Sequence, residues 1–315
     1  MKNLDFVKNK IKFLILPIIL IIAGVVMYFV NGGFNYDIEF MGGIKMQIDW
    51  QNPASTEEIK TYLEKETGIS PIVVQTTDKG ISIKTKAVEE KKFTSTKEAA
   101  IETEQSQTDK NAEAIFGALK AKYGLADEAW LSTNSASASF GARVQRNAFL
   151  YTLIAVLCIL LYIAFRFEWR SAVMSVVALL INILIMMAVY AAFYIPLNTT
   201  FIAAMLTVIG YSINNTIIVF DRIRENMKGR NEKRGITVPV IVNNSIKESM
   251  GRTINTTITT LITIVLLYFI GVTSVKEFAF PIIIGVIAGA YSSIFIATTF
   301  WAGWKESALK AKAKK

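Results

Sequence analysis

The 315-residue chain contains no histidine at all. That single absence removes the Ser-His-Asp triad, the Cys-His dyad and any His-ligated metal site from consideration. Cysteine occurs once, at Cys158, so neither an intrachain disulfide nor a four-thiolate zinc site can form. Charge is scarce too: 19% of residues are charged, against 52% hydrophobic. The hydrophobic residues gather into runs too long for the elements of a soluble core, which places the chain in a membrane.

Six such runs organise the sequence: 13–30, 148–165, 172–194, 200–220, 257–275 and 278–300, each 18 to 23 residues long. A helix needs roughly 17 to 25 predominantly apolar residues to cross the bilayer's hydrocarbon, so each run predicts one transmembrane helix. Pro17, Pro196 and Pro281 are expected near helix starts, where a missing N–H costs little. The first run follows a basic segment, as a signal peptide would. It exceeds the roughly 7 to 15 apolar residues of a cleavable one and no small-x-small site follows it, so it is expected to stay as a helix.

Lysine and arginine set the orientation. With the N-terminus in the cytoplasm, the short cytoplasmic segments and tails carry 19 basic residues, and the two short loops opposite carry one, Lys276. Both termini are therefore expected in the cytoplasm. The division that follows is a cytoplasmic N-terminus and first helix (1–30), an extracytoplasmic domain (31–147), helices two to six (148–304) and a basic cytoplasmic tail (305–315). The net charge of +9 is read as a topology signal and an affinity for anionic lipid heads. No compact basic and aromatic cluster points to nucleic acid.

The extracytoplasmic segment is long enough for a small core of its own. Residues 44–50 alternate like a half-buried strand, and Ser55-x-x-Glu58 opens a helix as a capping box. Residues 71–77 and 80–86 read as a hairpin around Asp78-Lys79-Gly80, a polar stretch fills 87–109, and a helix (111–123) and a strand (130–137) follow. The order β-α-β-β-α-β is that of a ferredoxin-like α+β unit. Nothing in it has the pattern of a catalytic site; its charged faces read as solvated surface or as a surface that touches an unfolded polypeptide.

Polar residues inside the apolar runs carry the functional signal, because such groups are costly in hydrocarbon and face a bundle interior or a wet cavity. The third run has Asn182, and the fourth has Ser212, Asn214, Asn215 and Thr216, of which Ser212, Asn215 and Thr216 share a face. The fifth is read as a helix that begins with Arg252 and presents Thr256, Thr259 and Thr263 beneath it. The sixth has Gly285-x-x-x-Gly289 followed by Tyr291, Ser292 and Ser293, a close-packing face with hydroxyls beside it. The alternative is that these side chains only hold helices together, the favoured reading for the glycine pair. Cys158 reads as a lipid-facing or packing residue.

At these positions the chain resembles the SecF family, membrane subunits of the bacterial protein-export translocase. The resemblance rests on Tyr36-Asp-Ile-Glu-Phe-Met-Gly-Gly43, Phe165-Arg-Phe-Glu-Trp169, Ile209-Gly-Tyr-Ser-Ile-Asn214 running on to Asp221-Arg222-Ile-Arg224-Glu225-Asn226, Arg252-Thr-Ile-Asn-Thr-Thr257 and Gly289-Ala-Tyr-Ser-Ser-Ile-Phe-Ile-Ala297. It implies half of a resistance-nodulation-division type transporter, with six transmembrane helices and a small extracytoplasmic domain, in the bacterial inner membrane. It also implies pairing with a SecD subunit beside the SecYEG channel, where a proton or sodium gradient promotes movement of unfolded preproteins; no enzyme activity or cofactor is expected.

The chain departs from the family pattern where the chemistry lies. The family commonly has Asn-Asp-Thr where this chain has Asn214-Asn215-Thr216, and often His-Asp where it has Ile181-Asn182. An amide does not titrate, though its carbonyl accepts a hydrogen bond or coordinates a cation. A carboxylate partner for Arg252 would have to come from SecD or from Asp221. Two other readings are a non-transporting scaffold of the channel and an ion-driven exporter of small molecules or lipids.

The topology is tested by impermeant labelling of single cysteines in a Cys158→Ser background. Lys97→Cys should label from outside and Lys233→Cys should not; the reverse result would overturn the orientation.

Overall fold

The computed structural model describes residues 5–50, 55–69, 71–77, 80–86, 97–136, 138–228 and 237–313. Asp78-Lys79 of the expected hairpin, the first part of the polar stretch (87–96), residues 229–236 with the labelling position Lys233, and the last two residues lie outside them. Two compact units emerge, residues 1–35, 150–196 and 200–315 in one and 36–149 with 197–199 in the other. The first holds six apolar membrane-spanning helices and the second is a small extracytoplasmic α/β domain.

The spans are α1 (Lys10–Val30), the apolar part of α5 (Ala138–Arg166), α6 (Trp169–Ala192), α7 (Thr199–Lys228), α8 (Val238–Ile270) and the pair α9 (Thr273–Ser292) and α10 (Thr298–Ala313). A π-helical turn, Ser293–Ala297, joins the last two. Two expectations about ends are corrected. Arg252 does not open the fifth transmembrane helix but lies well inside α8, which starts at Val238 with a proline in its first turn. Hydropathy marks where lipid contact begins, whereas the hydrogen-bonded ladder continues through the polar residues before it. At the other end α8 stops at Ile270, and Thr273–Val275 belong to α9. Likewise Pro17 and Pro281 lie inside α1 and α9 rather than near their starts, because both helices begin earlier than their apolar runs; neighbouring helices make such breaks tolerable.

Packing in the membrane unit uses small residues and one apolar cluster. A Cβ on Gly24 of α1 would lie 2.3 Å from the Ala188 Cβ of α6, so glycine lets these helices touch. Phe6, Val219, Phe220, Val242, Ile246, Ile294 and Trp301 form a buried core towards one end of the bundle. The N-terminal segment is fastened there, because Asn243 Oδ1 accepts from the backbone N–H of Phe6 (2.9 Å) and its Nδ2 donates to Asp5 (2.8 Å). Along α1, α5 and α8 many large apolar side chains remain exposed, as expected of lipid-facing surface. Cys158 is exposed among them.

In the extracytoplasmic unit a one-turn helix, α2 (Ile38–Met41), precedes β1 (Gly43–Ile48); α3 (Thr56–Thr67), β2 (Pro71–Thr77), β3 (Gly80–Lys86), α4 (Lys97–Tyr123) and β4 (Trp130–Ala136) follow. The antiparallel sheet has the order β2-β3-β1-β4, the arrangement of two interleaved βαβ halves. Alternation in β1 sends Ile44, Met46 and Ile48 into one core with Ile59 and Leu63 of α3 and Ile115 and Leu119 of α4. Ser55 caps α3 by accepting from the Glu58 N–H at 3.2 Å. Gly80 opens β3 at φ +124, where a Cβ would meet the Ile48 carbonyl oxygen at 2.1 Å. The polar stretch is corrected in part. Residues 97–109 belong to α4, since their Ala, Glu, Gln and Lys favour helix even without an apolar stripe.

Against the sheet's other face a buried ion cluster forms. Asp37 caps α2 by accepting from the Ile38 N–H, and it pairs with Lys84 at 2.9 Å and Lys45 at 3.4 Å. The Lys84 and Asp37 side chains are only 3% and 6% exposed. Burial pushes the Asp37 carboxyl up, but the two ammonium groups and the Ile38 N–H outweigh it and hold the pKa below the usual carboxylate range. A depressed carboxylate pKa contributes stability at pH values above the unfolded pKa of about 3.9, and that contribution is lost as pH falls through the folded pKa. Hydrogen exchange on the full chain should show β1 and β3 amides losing protection below about pH 4. Asp37→Asn should lower protection at pH 7 by roughly 3 kcal/mol, because it leaves Lys84 buried beside a neutral group.

Candidate functional site: a polar node inside the helical bundle

Three membrane helices meet at a cluster of small polar side chains. Asn182 of α6 lies 2.7 Å from Ser212 Oγ of α7 and 2.6 Å from Ser292 Oγ of α9, and all three are essentially inaccessible. With the amide turned so that Oδ1 accepts from Ser212, Nδ2 donates to Ser292 and also reaches the carbonyl oxygens of Ala288 (3.1 Å) and Ala178 (3.3 Å). Every polar atom of Asn182 then has a partner. One turn further on, Thr216 Oγ donates to Ser293 Oγ (2.7 Å), which donates to the Ser212 carbonyl (3.1 Å). Ser292 and Ser293 are consecutive yet both contribute, at the junction where α9 passes into the π-helical turn. Such turns are rare and often occur at functional positions.

The glycine pair makes room for this node. A Cβ on Gly285 would lie 2.5 Å from both Val208 methyls, and one on Gly289 would lie 2.9 Å from Ser212 Oγ. Tyr291 Oη donates to the Phe13 carbonyl at 2.7 Å and ties α9 to α1.

Asn215 behaves differently from Asn182. It is 0% exposed, and among the described residues neither its Oδ1 nor its Nδ2 has a hydrogen-bond partner. One helical turn away on α7, the Tyr211 hydroxyl is buried without a partner as well. A buried amide left in this state costs about 1–3 kcal/mol. Asn214 points away from both and is exposed, as are Ala203, Thr207 and Gly210. With Asn214 these small residues recur at intervals of three and four, forming a stripe on the outer side of α7. Sequence reasoning singled out Asn214 alone; the same spacing of small residues in the fourth run was the signal for the rest.

Arg252 is exposed on α8 and makes no ion pair among the described residues. Asp221 is not its partner, for it lies 3.7 Å from Arg166. Gly251, Asn255, Thr259 and Thr263 are exposed along the same helix, with Thr256 half-buried. The threonines donate to carbonyls of their own helix, Thr256 to Arg252 at 3.0 Å and Thr263 to Thr259 at 3.2 Å, which lets hydroxyls face hydrocarbon. The segment after Asp221 links α7 to α8: Arg222 Nε donates to Glu248 (2.6 Å), Arg222 pairs with Glu225, and Asn226 donates to Ser245 and Glu248 (both 2.9 Å). Arg224 donates instead to the Arg166 carbonyl at 3.2 Å. Among the described residues no three potential metal ligands of the His, Cys, Asp or Glu type gather.

Residues 118–307 match the family described as protein export membrane protein SecD/SecF, C-terminal. This chain belongs to the SecD/SecF family. A protein translocase subunit SecF from Thermodesulfovibrio yellowstonii is 35% identical over 303 residues, covering 94% of this chain and 93% of that one. One from Alicyclobacillus acidocaldarius is 42% identical over 180 residues, so the match spans 58% of its length. The crystal structure of SecDF, a translocon-associated membrane protein from a Thermus species, superposes with a TM-score of 0.76 at 28% identity and covers 96% of this chain, which spans only 38% of the SecDF chain. The family assignment makes this a SecF-type, multi-pass membrane protein.

The packing analysis separates inner from outer positions. Gly285→Leu should push α9 off α7 and lower thermal stability in detergent by about 1–3 kcal/mol, while Asn214→Ala, on the outer stripe, should change it by less than about 0.5 kcal/mol. Equal losses would contradict the assignment of the node as the bundle's packing centre.

Proposed function

We propose that this chain is the SecF-type half of a two-bundle translocase component, which pairs with a SecD-like subunit and uses the transmembrane ion gradient to promote preprotein export through the SecYEG channel. The observation that carries the reading is the unpartnered polar face of α7 and α8. Asn214 is exposed inside an apolar run, and Arg252 and Asn255 are exposed on α8 just before its apolar run; an amide turned to lipid is costly unless a partner meets it. A second helical bundle removes that cost. The SecDF chain that superposes on this one is more than twice as long, which supports a partner of comparable size. With cytoplasmic termini, the ferredoxin-like unit faces the exported chain on the far side.

The two amides have different roles in this reading. Asn182 is consumed by Ser212 and Ser292 and holds helices together. Asn215 keeps both amide atoms free and is the neutral ligand or hydrogen-bond partner for a group that comes from elsewhere. Arg252 acts as a fixed positive charge. The titrating or cation-binding carboxylate therefore belongs to the partner, and an oxygen-lined neutral path favours sodium over a proton relay. The satisfied state of Asn182 also favours the competing reading, a scaffold that supports the channel without coupling.

Secretion into vesicles, with a proton gradient without sodium and then the reverse, discriminates these readings. Arg252→Met should abolish gradient-dependent secretion, and Asn215→Ala should weaken it less. Full activity with protons alone would reject the sodium route. Wild-type activity of Arg252→Met under both gradients would leave the scaffold.

A further inference from the structure

Residues 36–43, one of the segments that carry the family resemblance, have no part in the ion-coupling reading. Their two carboxylates, one turn of chain apart on α2, serve different neighbours. Asp37 caps α2 and pairs with Lys84 of β3 and Lys45 of β1. Glu39, half-buried, reaches the start of α7 instead: its Oε2 accepts from the Thr199 backbone N–H at 2.7 Å and from the Thr199 hydroxyl at 2.5 Å. Thr199 is the first residue of α7, so its N–H has no acceptor within the helix. A carboxylate placed there answers both that donor and the positive end of the helix dipole.

The short helix that carries Glu39 is fixed to the extracytoplasmic unit from several directions. Ile38 and Phe40 are buried, and Gln145 Nε2 donates to the Phe40 carbonyl at 2.8 Å. A Cβ on Gly141 would lie 2.6 Å from that same carbonyl oxygen, so the start of α5 rests directly on α2. Behind it, Tyr36 pairs with Leu197 in a parallel bridge, and the Asp37 N–H donates to the Leu197 carbonyl at 2.8 Å. Leu197–Thr199 accordingly belong to the extracytoplasmic unit, whereas α7 from Thr200 onward belongs to the membrane unit. One continuous helix therefore begins in the first and runs on into the second.

A loop between a membrane helix and a folded domain ordinarily absorbs displacement, because few contacts hold it. Here the contacts are contiguous: Lys84 and Lys45 on the sheet, Asp37 and Glu39 on α2, Thr199 on α7. We infer that Glu39 is a positioning residue that makes the start of α7 follow the state of the extracytoplasmic unit, with α2 as the rigid intermediate. The helix so held is the one that carries Ser212, Asn215 and Thr216. A change in how α2 is fastened to the sheet thus reaches α7 through a single carboxylate, and this holds whether or not the chain couples an ion gradient. Contiguity alone does not establish transmission, so the test measures energetic coupling between the two ends of α2.

The experiment is a double-mutant cycle on the full chain in phosphatidylcholine nanodiscs, read by hydrogen exchange at residues 200–206. Glu39→Ala should raise exchange there severalfold, and Glu39→Gln, which keeps an acceptor oxygen, should stay closer to wild type. Asp37→Asn acts on the other side of α2 and leaves Glu39 and Thr199 in place. It should raise exchange at 200–206 severalfold in the wild-type background and by less than about twofold once Glu39 is alanine, since its route to α7 is then cut. Where Asp37→Asn abolishes protection across β1 and β3 altogether, Lys45→Gln replaces it in the cycle, because it removes only the longer and less buried of the two ion pairs; the same pattern is expected. Unchanged exchange in Glu39→Ala would overturn the inference. Equal fold-changes from the α2 variant in both backgrounds would reduce Glu39 to a local cap and assign the transmission to the backbone pairing of Asp37 with Leu197.

Discussion

Hydrocarbon offers no hydrogen bonds, and the structure of the membrane unit depends on how each polar side chain answers that constraint. Threonines and serines of α8 donate to carbonyls of their own helix, as Ser249 does to Ser245 at 2.7 Å and Thr257 to Thr253 at 2.7 Å. Asn182 cannot do this with both ends of its amide. It is satisfied across helices, and α6, α7 and α9 are thereby fixed in register around Ser212 and Ser292. Gly285 and Gly289 allow the approach that brings these partners within reach.

Measured against that rule, a few side chains stand as exceptions. Among the described residues, Asn215, Tyr211 and Trp301 leave buried polar atoms unpaired, and Asn214 and Arg252 expose polar groups on membrane helices. Native membrane proteins tolerate such groups where function supplies the missing partner. The exposed Asn214 and Arg252 fit a second bundle; the buried Asn215 and Tyr211 lie on another side of α7. In the extracytoplasmic unit the same logic is met internally, since Asp37 answers the buried ammonium of Lys84.

The six spans and the α/β order were legible in the sequence because both are written in periodicity: the length of apolar runs for one, alternation and turn residues for the other. The Ser55 cap and the hairpin strands 71–77 and 80–86 lie where their residue types require. Two elements differ from the reading of the sequence, each for its own reason. Residues 97–109 carry no apolar stripe, yet their propensities make them helical; residues 238–251 do carry one, Val238, Ile241, Val242, Ile246 and Met250, but it is short and interrupted by polar residues, so a search for membrane-length runs passes over it. The position of Arg252 was misjudged with them.

Composition and patterning alone determined the solvent of this protein, the number of its crossings and the chemistry it lacks, since those follow from residue types summed along the chain. The family resemblance added the expected partner and site. Only the tertiary structure decided which amide is spent and which is open, that Asp221 faces Arg166 rather than Arg252, and that Glu39 meets Thr199 at the start of α7. Asn182 and Asn215 are the same residue in similar apolar surroundings. What separates them is that Ser212 and Ser292 lie within hydrogen-bond reach of one, while among the described residues no partner lies within reach of the other, a fact of three-dimensional approach that no linear spacing encodes.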